Sequence, residues 1–211
     1  MNLRWRIAQA AEVQWWRRYL RKQDPVVYLH NKRTYWQQLL RRLELRLSPN
    51  DHILDAGCGP AGIFIALPEH QVDALDPLLE HYMHALSHFN LADYAYVRFW
   101  VMPLETFTRS DAYHIIFCMN AINHVADLQR SLHNLVAALR PGGRLVLTVD
   151  VHRYAILKGI FRYIPGDILH PHQHGAADYC AFLEAQGCRV TQITTLKSGR
   201  IFDYVAIVAL K

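Results

Sequence analysis

A chain of 211 residues with 52% hydrophobic and 19% charged side chains has a globular composition, which excludes a disordered polymer. No apolar run reaches the roughly 18–20 residues of a membrane-spanning helix, and Arg4, Arg6, Gln9 and Glu12 break up the start, so no secretory leader is expected. The net charge of +5 is uneven: residues 1–50 carry eleven Lys/Arg against three Asp/Glu, and residues 51–211 carry twelve against fifteen. A basic arm thus precedes a mildly acidic body. Such an arm suits an anionic substrate, an acidic membrane surface or nucleic acid, or is simply the solvated face of two helices. Cys58, Cys118, Cys180 and Cys188 form no CxxC pair and no disulfide-like spacing, so a reducing cytoplasm is the expected location.

The first helix is expected from about Leu3 to Lys22, where Ile7, Ala10, Ala11, Trp15, Tyr19 and Leu20 recur near helical period. Asp24 is a fair N-cap and Pro25 suits a first helical position, so a second helix should run to about Leu47, ended by Ser48-Pro49-Asn50. Strands are then expected at His52–Ala56, Val72–Leu75, Tyr96–Val101, His114–Cys118, Arg144–Val149, Arg189–Thr195 and Phe202–Leu210. Helices are expected at Ala61–Leu67, Pro77–Phe89, Leu128–Leu139 and Ala176–Gln186. Alternation of strands and helices predicts an α/β fold with a doubly wound, mostly parallel seven-stranded sheet. Lys197-Ser198-Gly199-Arg200 joins the last two strands without a helix, so they should form an antiparallel hairpin that leaves one reversed edge strand. A single domain over 1–211 is expected, with 1–48 as a helical basic arm or lid and 50–211 as the α/β core.

Asp55-Ala-Gly57-Cys58-Gly59-Pro60-Ala61-Gly62 follows a strand and opens a helix. Glycines suit that place because the chain must turn tightly and let a ligand approach main-chain N–H groups; a side chain at Gly57 or Gly59 is expected to fill the ligand's place. Asp76, just after the next strand, is placed to accept from ribose hydroxyls. A nicotinamide or flavin dinucleotide fits this pattern too. Against it stand Asp55, an anion where a pyrophosphate would lie, and Pro68, which shortens the helix whose dipole would hold phosphate.

The four stretches Asp55–Gly62, Leu75-Asp76-Pro77, Asn120-Ala-Ile-Asn-His-Val-Ala-Asp127 and Leu139-Arg-Pro-Gly-Gly-Arg-Leu-Val146 occur in this order over roughly residues 50–150. Together they resemble the motifs of class I S-adenosylmethionine-dependent methyltransferases. The resemblance implies a Rossmann-like fold with an N-terminal helical extension, S-adenosylmethionine as cofactor and S-adenosylhomocysteine as product. It implies that Gly57, Cys58 and Gly59 line the methionine part with Asp55 near its amino group, and that Asp76 holds the ribose. Pro77 and Leu78 would flank adenine, Met102 and Leu104 would form the adenine loop, and Cys118 and Met119 would end the wall. Two departures stand out. Met102 or Pro103 replaces the acid that often meets the adenine amino group, and His114 replaces an Asp before the fourth strand.

Ligands of an open α/β sheet bind at the carboxyl ends of its strands, which assigns the acceptor to Asn120, Asn123 and His124 under the N-terminal helices, with Tyr19 and Trp36 facing it. His124 is the candidate base, against a structural role capping the next loop. His170-Pro171-His172-Gln173-His174 invites a metal reading, with only Asp167 and Asp178 near. Pocket lining by His170 and His172, or a plain loop, is preferred, and no metal is expected. The function expected is methyl transfer to a small-molecule or lipid-like acceptor. Peripheral membrane contact through the arm is retained, and nucleic acid is disfavoured for want of a binding motif. The alternatives are an NAD(P)-dependent oxidoreductase and a non-catalytic binding protein of the same fold. The acceptor and the oligomeric state do not follow from the sequence.

Overall fold

The structure, a computed structural model, describes residues 3–152, 174–199 and 202–211. Helix α1 spans Leu3–Leu20 and α2 Pro25–Arg42. The Asp24 side chain accepts from the Val27 N–H at 3.0 Å, and Pro25 opens α2, as the sequence leads one to expect. Leu43 follows with ψ near zero and ends α2 well before Leu47. The strands are β1 His52–Ala56, β2 Gln71–Leu75, β3 Val97–Trp100, β4 Tyr113–Met119, β5 Leu139–His152, β6 Arg189–Ser198 and β7 Phe202–Leu210. Helices α3 Leu79–Ala85, α4 Leu128–Ala138 and α5 Ala176–Ala185 alternate with them.

The seven strands run in the order β3-β2-β1-β4-β5-β7-β6. All neighbouring pairs up to β5 are parallel, while β7 is antiparallel to both β5 and β6. This corrects one detail of the expected topology: the reversed strand lies inside the sheet, between β5 and β6, and β6 is the edge. The physical reason is burial. Val205–Ala209 of β7 form an unbroken buried run that needs cover on both faces, whereas β6 alternates exposed and half-buried residues as an edge strand can.

Each face of the sheet carries its own apolar cluster, because successive strand residues point to opposite sides. Ile53, Ile115, Phe117 and Met119 face a cluster that includes Leu20 of α1 and Tyr28, Trp36, Leu39 and Leu43 of α2. Leu54, Ile116 and Cys118 face the cluster of Leu132 and Leu135 of α4 and Tyr179 and Leu183 of α5. Helix α2 is thus part of the core rather than an appendage. Its Trp36 indole donates to the Ala61 carbonyl (3.0 Å), Arg33 to the Ile65 carbonyl, and Arg42 to the Thr195 and Leu196 carbonyls of β6.

The stretch after the glycine loop departs from the expected helix over Ala61–Leu67. It forms two 3₁₀ turns, Gly59–Ala61 and Ile63–Ala66. The Asp55 carboxylate captures the Phe64 N–H (3.0 Å) and holds Gly62 extended, with no room there for a Cβ. Helix α3 is also shorter than Pro77–Phe89. Leu86 turns extended, and His88 then bonds the Gln23 carbonyl at the α1–α2 corner (2.9 Å).

Candidate active site

A cavity of about 1000 Å³ opens over the carboxyl ends of β1, β2, β4 and β5 and is roofed by α1 and α2. Its floor is the loop Gly57-Cys58-Gly59. The N–H groups of Gly57 and Cys58 donate to the Leu75 carbonyl (2.8 and 3.1 Å), which ties the loop to the end of β2. Gly57 and Gly59 take φ of +72° and +57°, the left-handed region that favours glycine. The reason for Gly57 differs from the expected one. A Cβ there would lie 2.3 Å from the Ala121 Cβ, so the position is closed by the chain itself rather than by a ligand. At Gly59 the nearest atom to a Cβ is the Trp16 ring of α1, at 4.0 Å.

Asp76 stands beside this floor. One carboxylate oxygen accepts from the Gly59 N–H (3.0 Å) and the other from the Leu78 N–H (2.8 Å). Both oxygens keep a second lone pair, so the side chain is fixed and still able to accept from a ligand. Burial, and then the Glu12 carboxylate, push its pKa up to about 7 against the pull of those N–H groups. Glu12 comes from α1, lines the cavity and accepts from the Tyr82 hydroxyl (2.9 Å).

Asp55 lies behind the loop and off the cavity wall. One oxygen holds the Phe64 N–H, while the other is buried with no hydrogen-bond partner among the described residues. Burial pushes its pKa up to about 7, opposed by the Phe64 and Ile63 N–H groups and then by the Lys32 ammonium. Lys32 lines the cavity from α2, with its nitrogen 4.7 Å from the Trp36 ring centroid and 5.1 Å from that of Tyr35.

Of the other residues singled out from the sequence, Pro77, Leu78, Leu104 and Met119 lie on the wall, and so do Tyr19, Trp36, Asn120 and His124. Cys118 does not. It neighbours Met119 along β4 and therefore points through the sheet into the α4–α5 cluster. Met102 packs against the same cluster and leaves the wall to Pro103 and Leu104. Asn123 is buried under its turn, its side-chain oxygen without a partner among the described residues. His170 and His172 lie outside the described residues.

Sequence reading passed over the far wall. Asp150 on β5, Tyr204 on β7 and Lys197 on β6 are register partners in one row across three strands, and all three line the cavity. The Tyr204 hydroxyl lies 2.6 Å from Thr148 Oγ1, which accepts from the Asn120 N–H (3.0 Å) and so holds Asn120 at φ +55°. Tyr35 of α2 lines the cavity together with Tyr204. No local motif marks this row, since it depends on the pairing of β7 between β5 and β6. Glu12 and Lys32 had a weak signal in their helical spacing, masked by counting the arm as bulk charge.

A family of methyltransferase domains matches residues 28–198. The chain belongs to that family. It is 26% identical over 165 residues to a ubiquinone biosynthesis O-methyltransferase of Coxiella burnetii, covering 68% of this chain and 65% of that protein. A protein of the same name from Rickettsia typhi is 28% identical over 152 residues, covering 67% and 59%. The match thus spans a little under two thirds of these curated relatives. Among solved structures, the YcgJ protein of Bacillus subtilis aligns with TM-score 0.68 at 16% identity, covering 86% of this chain and 98% of that one. The geranyl diphosphate C-methyltransferase of Streptomyces coelicolor aligns with TM-score 0.66 at 17% identity, covering 88% and 82%. These likenesses show the fold, that of class I S-adenosylmethionine-dependent methyltransferases.

The residues present fit that family's cofactor. A pinned carboxylate at the end of β2 suits ribose hydroxyls, the space above Gly59 admits a ligand against main chain, and the Asp76 and Glu12 carboxylates on the cavity wall suit a ligand carrying an ammonium and a sulfonium. The same acids oppose a pyrophosphate, and two 3₁₀ turns offer no helix N-terminus to hold one. Among the described residues no group of three His, Cys, Asp or Glu side chains could hold a metal ion.

Proposed function

We propose that this protein transfers a methyl group from S-adenosylmethionine to an oxygen of a small or lipid-like acceptor. The observation that carries the reading is the Asp76 carboxylate, fixed by two backbone N–H groups at the rim of a cavity large enough for cofactor and acceptor together. In this reading Asp76 holds the ribose, Gly57 to Gly59 carry the methionine part, and Pro77, Leu78 and Leu104 flank adenine. Glu105 steadies that wall by accepting from the Ala126 and Asp127 N–H groups (2.6 and 3.2 Å), and Asn134 donates to the Leu104 carbonyl.

The cofactor supplies an electrophilic methyl on a sulfonium, and the chain's task is alignment and exclusion of water. The acceptor sits between α2 and the strand ends, with Asn120, His124 and Tyr204 on one side and Tyr28, Tyr35 and Trp36 on the other. Trp15 and Tyr19 stack at 5.0 Å and form the mouth. The relatives' name supports oxygen as the atom methylated. Four free thiols support a reducing compartment such as the cytoplasm. Exposed Val26 and Val27 beside Arg21 and Lys22 support a peripheral contact with an anionic membrane; among the described residues no helix is long and apolar enough to cross one.

Calorimetry with S-adenosylhomocysteine and with NADP tests the reading, followed by release of S-adenosylhomocysteine from S-adenosylmethionine across a panel of phenols and catechols. Binding of the first ligand alone, with turnover, is expected. Preference for NADP overturns the assignment, and tight binding without turnover on any acceptor favours the non-catalytic alternative.

A further inference from the structure

The inference rests on the methyl-transfer reading and concerns Lys32. Helix α2 turns Tyr28, Lys32, Tyr35 and Trp36 toward the cavity, because residues three and four apart share a helix face. The first and last of these rings are buried, so the half-buried Lys32 reaches into a bay walled by aromatic rings. Among the described residues no carboxylate comes within ion-pairing distance of it. A lysine placed in that way has lost part of its solvent and gained the two rings beside it. Desolvation lowers its pKa, and the one charge acting against that is Asp55, itself pushed toward neutrality by burial. The other titratable groups of the cavity are Tyr28 and Tyr35 on the same helix, Glu12 and Tyr19 on α1, Cys58 and Asp76 at the floor, Glu105 and His124 in the loops after β3 and β4, Asp150 on β5, Lys197 on β6 and Tyr204 on β7.

We propose that Lys32 is a catalytic residue, the base that takes the proton from a hydroxyl of a flat, aromatic acceptor held against α2. The Lys32 nitrogen uses its lone pair to bind the proton as the acceptor's O–H bond breaks. The oxygen's electron pair forms the new bond to the methyl carbon, and the pair of the broken carbon–sulfur bond stays on sulfur. Positive charge thus passes from sulfonium to the Lys32 ammonium, which afterwards returns its proton to water. The bay accounts for both requirements. Aromatic rings accept a flat acceptor, and poor hydration favours the neutral, proton-accepting form of the amine.

The test uses 4-nitrocatechol, whose ionisation changes its colour, on the full-length protein with and without S-adenosylhomocysteine. In the wild type the bound probe should be about tenfold more ionised than the free probe at the same pH. Lys32→Gln and Lys32→Met should abolish that shift and reduce turnover by about 10²–10⁴-fold, while leaving S-adenosylhomocysteine affinity and the melting temperature unchanged. Lys32→Arg keeps the charge but cannot take a proton, so it should preserve the colour shift yet lose turnover on a weakly acidic phenol that binds un-ionised. A wild type that does not bind the probe, or binds it without a shift, overturns the assignment. So does a shift that survives in Lys32→Gln. A Lys32→Gln protein that loses S-adenosylhomocysteine affinity identifies Lys32 as a counter-charge for Asp55, which also overturns it. Failure of the wild type to bind S-adenosylhomocysteine instead sinks the methyl-transfer reading and is seen separately.

Discussion

The floor and the roof of the cavity are built in opposite ways. The floor is main chain held by short-range bonds: Gly57 and Cys58 tied to Leu75, Gly59 and Leu78 tied to Asp76. The roof is side chains on two helices: Glu12, Trp16 and Tyr19 from α1, and Tyr28, Lys32, Tyr35 and Trp36 from α2. A backbone floor recognises a constant ligand and tolerates little change, since each turn has one workable conformation. A side-chain roof is altered residue by residue and suits the partner that varies within a family, the acceptor. The roof itself divides, because α2 is fastened to the core and α1 lends it little beyond Leu20 among the described buried residues.

The largest expected effect separates those two helices. Deleting residues 1–46 removes Tyr28, Trp36, Leu39 and Leu43 from the core. At about 1.5–3 kcal/mol for each buried side chain, the loss rivals the ~5–15 kcal/mol by which a domain is stable. No cooperative melt should remain. Deleting only residues 1–22 should leave a cooperative melt and weaken S-adenosylhomocysteine binding, since Glu12 and Trp16 go with α1. If the longer deletion melts cooperatively, α2 is a cover and the division of the roof is wrong.

Gly57→Val should come next, because it breaks the floor at a point where the chain closes on itself. The new side chain meets Ala121 and is held at an unfavourable φ, so a stability loss of ~1–3 kcal/mol is expected together with loss of cofactor binding. Thermal melts and calorimetry on the same sample check both. A variant that binds normally would show that the loop bends at little cost.

Asp76→Ala should weaken S-adenosylmethionine binding by ~1.5–3 kcal/mol, the range for hydrogen bonds to a charged group. Unchanged affinity by calorimetry would remove Asp76 from the site.

The smallest effect is a pH dependence that sharpens the picture of an acidic floor. The folded pKa values of Asp55 and Asp76 are raised to about 7, far above the usual carboxylate range. Each therefore binds its proton more tightly folded than unfolded. Their contribution to the stability of the ligand-free protein is fully present below the unfolded pKa, and it is lost as pH rises through about 7. Melting temperature should fall across that window, and Asp55→Asn should flatten the fall. Affinity for S-adenosylmethionine should rise over the same window, because a cationic ligand gains from the ionised carboxylates. A flat affinity profile from pH 5.5 to 8 would contradict it.

Local signals were enough for much of this molecule. Period-two and period-3.6 patterns located the strands and the helices α1, α2, α4 and α5 closely, except that β5 already starts at Leu139 rather than Arg144 and α2 ends at Arg42, and Asp24-Pro25 marked the start of α2 because capping is a short-range interaction. The glycine loop and Asp76 were legible for the same reason, being neighbours along the chain as well as in space. Where the sequence misled, a longer-range bond had intervened: Asp55 seizing the Phe64 N–H turned an expected helix into 3₁₀ turns, and His88 reaching Gln23 shortened α3.

The sequence by itself determined the α/β class, the order of the strands along the chain and the half of the cavity that lies within residues 55–78. Only the tertiary structure decided that β7 enters between β5 and β6, which sets Asp150, Tyr204 and Lys197 in one row. It alone decided that Cys118 faces away while Met119 faces in, and that Lys32, one charge among eleven in the arm, sits in an aromatic bay. The physical reason is that hydrogen bonds within a turn are set by adjacent residues. Burial and strand register are set by partners far along the chain, so the packed whole is needed to say which side chains meet.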